Sequence, residues 1–413
     1  MKKLKVLFLM CMMVCIYPIS MYALNSSYNL TLIVKPVDMV ISTSNATYLD
    51  PLMEMKWGFY TVGADIAHAN GIDGTNSSNA SHPVVVAVID TGVDYDHPDL
   101  NDSYLAGGYD FVNDDDDPMD DNGHGTHCAG IIAAEMNNSI GVVGIAPKAK
   151  IMAYKVLNEN GAGYMHHVTD AINHICDNHP PSNIYGVDII SLSLGQRVPD
   201  FDVTGLQNAI NRAVGEGIII VAATGNEDGP VLYPAKMKNV TAIGATDVLQ
   251  HKASYSNYGP EINYTAPGGD WHFFGFVFVG ILSTWRNNKY AYAAGTSMAT
   301  PMVAGVIALL LGTGVDPADI HDELNSPSRI KDLGAPGWDP YFGNGLVRIF
   351  ANNWDYRGWY HKHFDDDILM ATLLMIGPFL IPEPQIDWVT WAIIGGVIVF
   401  FAVIAIYEAR AAK

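Results

Sequence analysis

An α/β fold, a parallel β-sheet flanked by helices on both faces, is what the sequence predicts from two observations. Five short, apolar, β-branched runs recur along the middle of the chain: Val84–Ile89, Ile151–Val156, Ile189–Leu194, Ile218–Ala223 and Val240–Ile243. Between them lie segments whose apolar residues repeat at helical spacing, such as Met165–Cys176 and Leu206–Val214. Strands that are apolar at every position are buried on both faces, and alternation with helices supplies the cover. The 413 residues accommodate one such domain with appendages, and no internal repeat is evident.

The elements carry chemistry at their ends. Asp90 closes the first apolar run and passes into the turn Thr91-Gly92, which suits an acid at the carboxyl edge of a parallel sheet. His124 lies within Gly123-His124-Gly125 just before the small, apolar stretch Ala129–Ala134, as a helix start reads. Ser297 sits in the turn Gly295-Thr296-Ser297-Met298-Ala299 ahead of the apolar run Val303–Leu311, a hydroxyl presented at the start of a buried helix. A serine hydroxyl is a weak nucleophile, so a histidine must take its proton and an acid must orient that histidine. Acid, base and nucleophile occur in the order Asp, His, Ser, and a fourth segment, Val221–Asn226, is a buried strand running into a turn that ends in an amide.

With these motifs, the stretch from Trp57 to Arg348 resembles the subtilisin-like serine proteases, the subtilases. The resemblance implies peptide-bond hydrolysis by Asp90, His124 and Ser297, with Asn226 and the Ser297 amide donating to the oxyanion. It implies that Ser193, Leu194 and Gly195 pair with the substrate backbone, and that Ala223, Thr224 and Gly225 form the opposite wall of the primary pocket. Glu227 beside Asn226 could favour a basic side chain, and Leu232, near a position often glycine at the pocket base, implies a narrower pocket. A surface binding protein without turnover remains a reading of a different class; a missing catalytic side chain would mark it, and none is missing. A peptide ligase on the same scaffold also stays open.

Calcium is a further implication. The loop Met136–Val142 resembles one in which Asn138 and the carbonyls of Met136, Ile140 and Val142 surround Ca2+, with Asp99 as the carboxylate. Mixed oxygen ligands suit this hard cation. The run Asp110–Asp117 resembles a second site known in part of the family, with Asp110, Asn113, Asp115 and Asp117 as ligands. Met302 stands where the family often has a histidine, which is not one of the three catalytic groups. Cys128, four residues after His124, also occurs in part of the family; its simplest role is a small core residue.

The appendages read as export and anchoring. Residues 1–23 have a basic start at Lys2, Lys3 and Lys5, the apolar core Val6–Ile16 and a possible cleavage end at Ala23, the pattern of a signal peptide. Residues 24–48 form a short N-terminal segment where the family usually has a longer prodomain, 49–350 the catalytic domain, and 351–387 a juxtamembrane linker with the apolar segment Ile368–Ile381. Trp388–Tyr407 is almost wholly apolar and about 20 residues long, enough for a transmembrane helix. Arg410 and Lys413 then place residues 408–413 in the cytoplasm and the protease outside.

Composition agrees. A net charge of −21 excludes nucleic acid as a partner, because phosphates require basic patches; the partners expected are protein or peptide substrates and the membrane. Two of four cysteines leave with the signal peptide, and Cys128 and Cys176 are too few for a disulfide framework. Nine Asn-x-Ser/Thr sequons, at Asn25, Asn29, Asn45, Asn76, Asn79, Asn101, Asn137, Asn239 and Asn263, predict a glycoprotein. Trp271–Gly280 looks like an aromatic insertion, either a core hairpin or an apolar interaction loop. Oligomeric state is not readable.

Overall fold

The computed structural model describes residues 32–34, 48–77, 82–197, 202–270 and 279–350. The signal peptide, most of residues 24–48, the insertion residues 271–278, the linker, the apolar run Trp388–Tyr407 and the tail lie outside them. Among the described residues no helix is long and apolar enough to cross a membrane.

Nine strands form the main sheet. In chain order they are β2 (Val85–Asp90), β3 (Tyr109–Asp110), β4 (Lys150–Lys155), β5 (Ile189–Leu192), β6 (Ile219–Ala223), β7 (Thr241–Thr246), β8 (Ile262–Pro267), β11 (Ile330–Lys331) and β12 (Leu346–Val347). Their spatial order is β11-β12-β8-β7-β6-β5-β2-β4-β3, and every pairing is parallel except β11 with β12. The helices are α1 (Trp57–Thr61), α2 (Ala64–Ala69), α3 (His124–Ala133), α4 (Met165–Asn178), α5 (Val203–Gly215), α6 (Thr296–Gly312) and α7 (Ile320–Leu324).

Strand β2 shows why both faces are covered. Val86 and Val88 enter the core beneath α3 and α6, while Val85, Ala87 and Ile89 enter the core beneath α4 and α5, the period-2 alternation of a strand with two buried faces. Helices α4 and α5 bury one stripe each, Met165, Val168, Ala171, Ile172 and Ile175 in the first and Leu206, Ala209, Ile210 and Ala213 in the second. Asp202 caps α5 by accepting from the Thr204 amide. Helix α6 is apolar all round and buried at every position except Ser297, as a helix through a core must be.

All five expected strands are present, with ends shifted by at most three residues, and the buried helix expected to present Ser297 at its start runs from Thr296 to Gly312. Strand β8, the short β3, β11 and β12, and the antiparallel hairpin of β9 (Ile281–Trp285) and β10 (Lys289–Ala293) add to those five. Strand β1 (Leu32–Val34) adds antiparallel to the outer edge of β10.

The connections place the site. The chain leaves β2 through α3 to β4 on one side and leaves β5 through α5 to β6 on the other. Adjacent β2 and β5 therefore diverge at their carboxyl ends, where open α/β sheets form a crevice.

Candidate active site

Asp90 is the last residue of β2 and is fully buried. Its Oδ1 accepts from the Thr91 amide at 2.7 Å and lies 2.7 Å from His124 Nδ1. An ionised carboxylate can only accept, so Nδ1 carries the proton and Nε2 is left as a base. Burial of the ring opposes its protonation, but the Asp90 charge, the hydrogen bond to it and the charge of Asp120 prevail and raise the His124 pKa above its ordinary value.

His124 opens α3, and Asp120 fixes that opening. The Asp120 carboxylate accepts from the amides of Asn122, Gly123 and Thr126 and from the hydroxyls of Thr91 and Thr126. It satisfies amides that a helix start leaves unpaired and joins the histidine turn to the aspartate turn. Gly123 has φ +119°, and a Cβ there would fall 2.3 Å from the Trp285 ring. His127, one turn inside, holds the hairpin through the carbonyls of Ile281 and Ala291; burial first, and then the proximity of His124, push its pKa down to about 3. Asp120 and His127 were not singled out in the sequence because nothing local marks an acid or a buried ring as a positioning group.

Ser297 is the second residue of α6. Pro301 lies inside that helix and has no N–H, so it leaves the carbonyl four residues back, that of Ser297, free of an intrahelical donor. Ser193 Oγ donates to that carbonyl at 2.8 Å and Cys128 Sγ at 3.5 Å, while Ser297 Oγ donates to the Ser193 carbonyl at 3.1 Å. Cys128 is one turn beyond His124 on the same helix face, and its Sγ lies within 4.8 Å of ligand atoms of both Asp90 and His124. Burial pushes the Cys128 thiol pKa well up, which keeps it a protonated donor. Acid, imidazole and hydroxyl are thus brought to one crevice. Met302 is buried in the core beside Gly58.

Asn226 follows β6 and is solvent-exposed. Its Oδ1 accepts from the Thr296 amide at 2.9 Å and the Thr296 hydroxyl at 3.0 Å, so its acceptor end is anchored and Nδ2 is the end that remains to donate. Ser193, Leu194 and Gly195 continue β5 beyond its last paired residue, and Ala223, Thr224 and Gly225 end β6 and pass into Asn226. Glu227 Oε2 accepts from Asn257 Nδ2 at 2.8 Å, which ties the carboxylate expected to favour a basic residue into its own loop.

The first proposed calcium site assembles in part. Asp99 is fully buried, and its carboxylate accepts from Asn138 Nδ2 (2.7 Å), the Val142 amide (2.9 Å) and Tyr290 OH (3.2 Å). Met136 and Ile140 lie in the same loop, where Asn137, Ser139 and Gly141 all have positive φ. A Cβ at Gly141 would sit 2.3 Å from Asp99 Oδ2, so the cradle admits no side chain. Asp50, absent from the sequence reading, joins it by accepting from the amides of Asn137 and Asn138; it stands 49 positions from Asp99, with no local signal. Burial, with Asp50 adding to it, pushes the Asp99 carboxyl up to about 7. Two buried acids converging on one loop fit a hard cation.

The second acidic run closes on itself. Asp110 accepts from the amides of Val112 and Asn113 and from Asn113 Nδ2, whereas Asp115 accepts from the Asp117 amide and Asp117 from Tyr95 OH. Among the described residues, the only three acids, histidines or cysteines with ligand atoms mutually within 4.8 Å are Asp90, His124 and Cys128. Asp110, Asp115 and Asp117 therefore do not converge as a set.

Comparison with known proteins accords with this geometry. The subtilase family profile matches residues 81–345. The chain belongs to the subtilase family. It is 45% identical over 267 residues to the thermophilic serine proteinase of Bacillus sp. (strain AK1), covering 64% of this chain and 60% of that one. It is 40% identical to thermitase of Thermoactinomyces vulgaris, over 64% of this chain and 86% of thermitase, and 38% identical to subtilisin Savinase of Lederbergia lenta, over 72% and 98%. Membership supports serine endopeptidase activity in this subtilase.

Proposed function

We propose that this subtilase is an extracytoplasmic, membrane-anchored serine endopeptidase acting through an acyl-enzyme. The observation that carries the reading is the 2.7 Å Asp90–His124 contact on a helix whose next turn bonds to Ser297. Ser297 Oγ turns from the Ser193 carbonyl to His124 Nε2, gives up its proton there and attacks the scissile carbonyl. The negative charge that develops on the carbonyl oxygen is met by Asn226 Nδ2 and the Ser297 amide, donors fixed before reaction. The imidazolium, stabilised by Asp90, protonates the leaving amine, and water repeats the sequence to release the acid. A non-hydrolytic binding protein has no need of this donor arrangement; a ligase would need an amine to outcompete water.

Export by residues 1–23 and anchoring by residues 388–407 rest on the sequence pattern. Deleting residues from Asp387 onward is expected to release active enzyme into the medium; continued sedimentation of that truncated chain with membranes in high salt overturns the anchor.

Calcium would be held by Asp99 and Asn138, with the carbonyls of Met136, Ile140 and Val142 and with Asp50 beside them, and would neutralise the two buried acids while cross-linking the loop to the start of the catalytic domain. An ion bound only by the native state stabilises it by about 2.7 kcal/mol at a hundredfold excess over Kd. Chelation is therefore expected to lower the Tm and remove bound calcium, counted by elemental analysis. An unchanged Tm after complete metal removal rejects the site, and the count shows whether Asp110–Asp117 takes a second ion.

A further inference from the structure

The last strands of the main sheet form an edge with two features that the crevice does not use. The first is a set of cations. Ile330 pairs with Val347 and Lys331 with Leu346, and the Arg348 amide continues the ladder by donating to the Arg329 carbonyl at 2.7 Å. Side chains alternate along a strand, so Arg329, Lys331 and Arg348 share one face. Arg329 pairs with Glu323 at 3.1 Å. Lys331 Nζ donates instead to Gln250 Oε1, and Arg348 Nη2 to the Ile330 carbonyl at 3.1 Å. Burial, with Arg348 adding to it, pushes the Lys331 pKa down. In a chain of net charge −21, this is a local excess of positive charge.

The second feature is a loop. Residues 334–338 are all exposed and carry no charge. The two acids beside it are taken up by its own backbone: Asp339 accepts from the amides of Ala335, Tyr341 and Phe342, and Asp332 from that of Gly337. Trp338 is 47% exposed although its indole is fixed to the Ile262 carbonyl at 3.0 Å, and Tyr341, 45% exposed, stands 5.2 Å from the ring of the exposed Tyr258. An exposed aromatic cluster held by a fixed frame marks an interaction surface.

Both features lie just before the point where the chain, past Phe350, runs through residues 351–387 to the apolar run Trp388–Tyr407. A tethered domain does not diffuse far from its anchor, so contacts too weak to matter in free solution suffice to orient it. Tryptophan and tyrosine settle at the headgroup level of a bilayer, and lysine and arginine are drawn to anionic lipids. We propose that this edge is a membrane-resting surface, with Trp338 and Tyr341 entering the headgroup layer and Lys331 and Arg348 meeting the phosphates of anionic lipids. The proposal rests on the membrane-anchored reading above.

The test places an environment-sensitive dye on the full chain. Cys128 and Cys176 are buried, so Ala335→Cys labels selectively; Tyr185→Cys, at an exposed position beside Met152 toward the other edge of the sheet, is the reference. The protein is reconstituted into vesicles of phosphatidylcholine, with or without phosphatidylglycerol, that carry a headgroup quencher. Quenching and a blue shift are expected at position 335 and not at 185, more strongly with phosphatidylglycerol. Trp338→Ser with Tyr341→Ser should abolish the quenching, and Lys331→Gln with Arg348→Gln should abolish its dependence on phosphatidylglycerol. Melting curves establish folding, and Tyr341→Ser alone, which removes no side-chain hydrogen bond, should weaken the quenching even where the double variant does not fold. Equal quenching at the two positions, full quenching in folded Tyr341→Ser protein, or an unchanged preference for phosphatidylglycerol in folded Lys331→Gln/Arg348→Gln protein overturns the inference. Labelled chain that fails to float with the vesicles defeats the anchoring reading instead.

Discussion

Replacing Ser297 with alanine is expected to lower kcat for peptide hydrolysis by about 10⁶-fold, and His124→Ala by a similar factor, because members of a triad act as one unit and their losses do not add. The Ser297 hydroxyl makes one hydrogen bond, to the Ser193 carbonyl, so its removal should cost the fold about 0.5–1.5 kcal/mol at most, leaving a folded protein to assay. Turnover retained by purified, correctly folded Ser297→Ala protein would reject the nucleophile. The same base sets the acid side of the pH profile. His124 acts when neutral, and its pKa is raised in the folded protein; activity is therefore lost, as pH falls, above the ordinary imidazole value of about 6.5. An inflection in kcat/KM well below that value contradicts the assigned coupling to Asp90.

Replacing Asn226 with alanine is expected to lower kcat by about 10²–10³-fold with KM little changed, because its Nδ2 meets a charge that exists only in the transition state. One complication is visible in the structure: Asn226 Oδ1 also accepts from the buried Thr296 amide and hydroxyl. A melting curve separates the two effects. A loss confined to KM, or a loss of kcat matched by unfolding, shows that Asn226 serves the turn and not the oxyanion.

The sequence by itself determined the α/β architecture and pointed to the candidate reacting groups. Runs such as Val84–Ile89 are short, β-branched and apolar at every position and bounded by turn residues, which reads as a strand buried on both faces; Asp90, His124, Ser297 and Asn226 each sit where a strand or helix boundary is written locally in glycines. Period and turn chemistry are short-range properties, so they survive being read one segment at a time. What only the tertiary structure decided are the long-range placements: Asp120 across the Asp90 and His124 turns, Asp50 beside Asp99, and the hairpin held by His127. Ser193 and Ser297 are 104 positions apart and bond because Pro301 withdraws one amide from a helix. Leu232 gave a hint of a narrower pocket, but its position between Gly195 and Gly225 follows from two strand ends meeting a loop. The physical reason is common to these cases. A side chain's partner is chosen by the packing of the whole sheet and its helices, and no periodicity within a segment encodes which distant carbonyl or carboxylate will be waiting there.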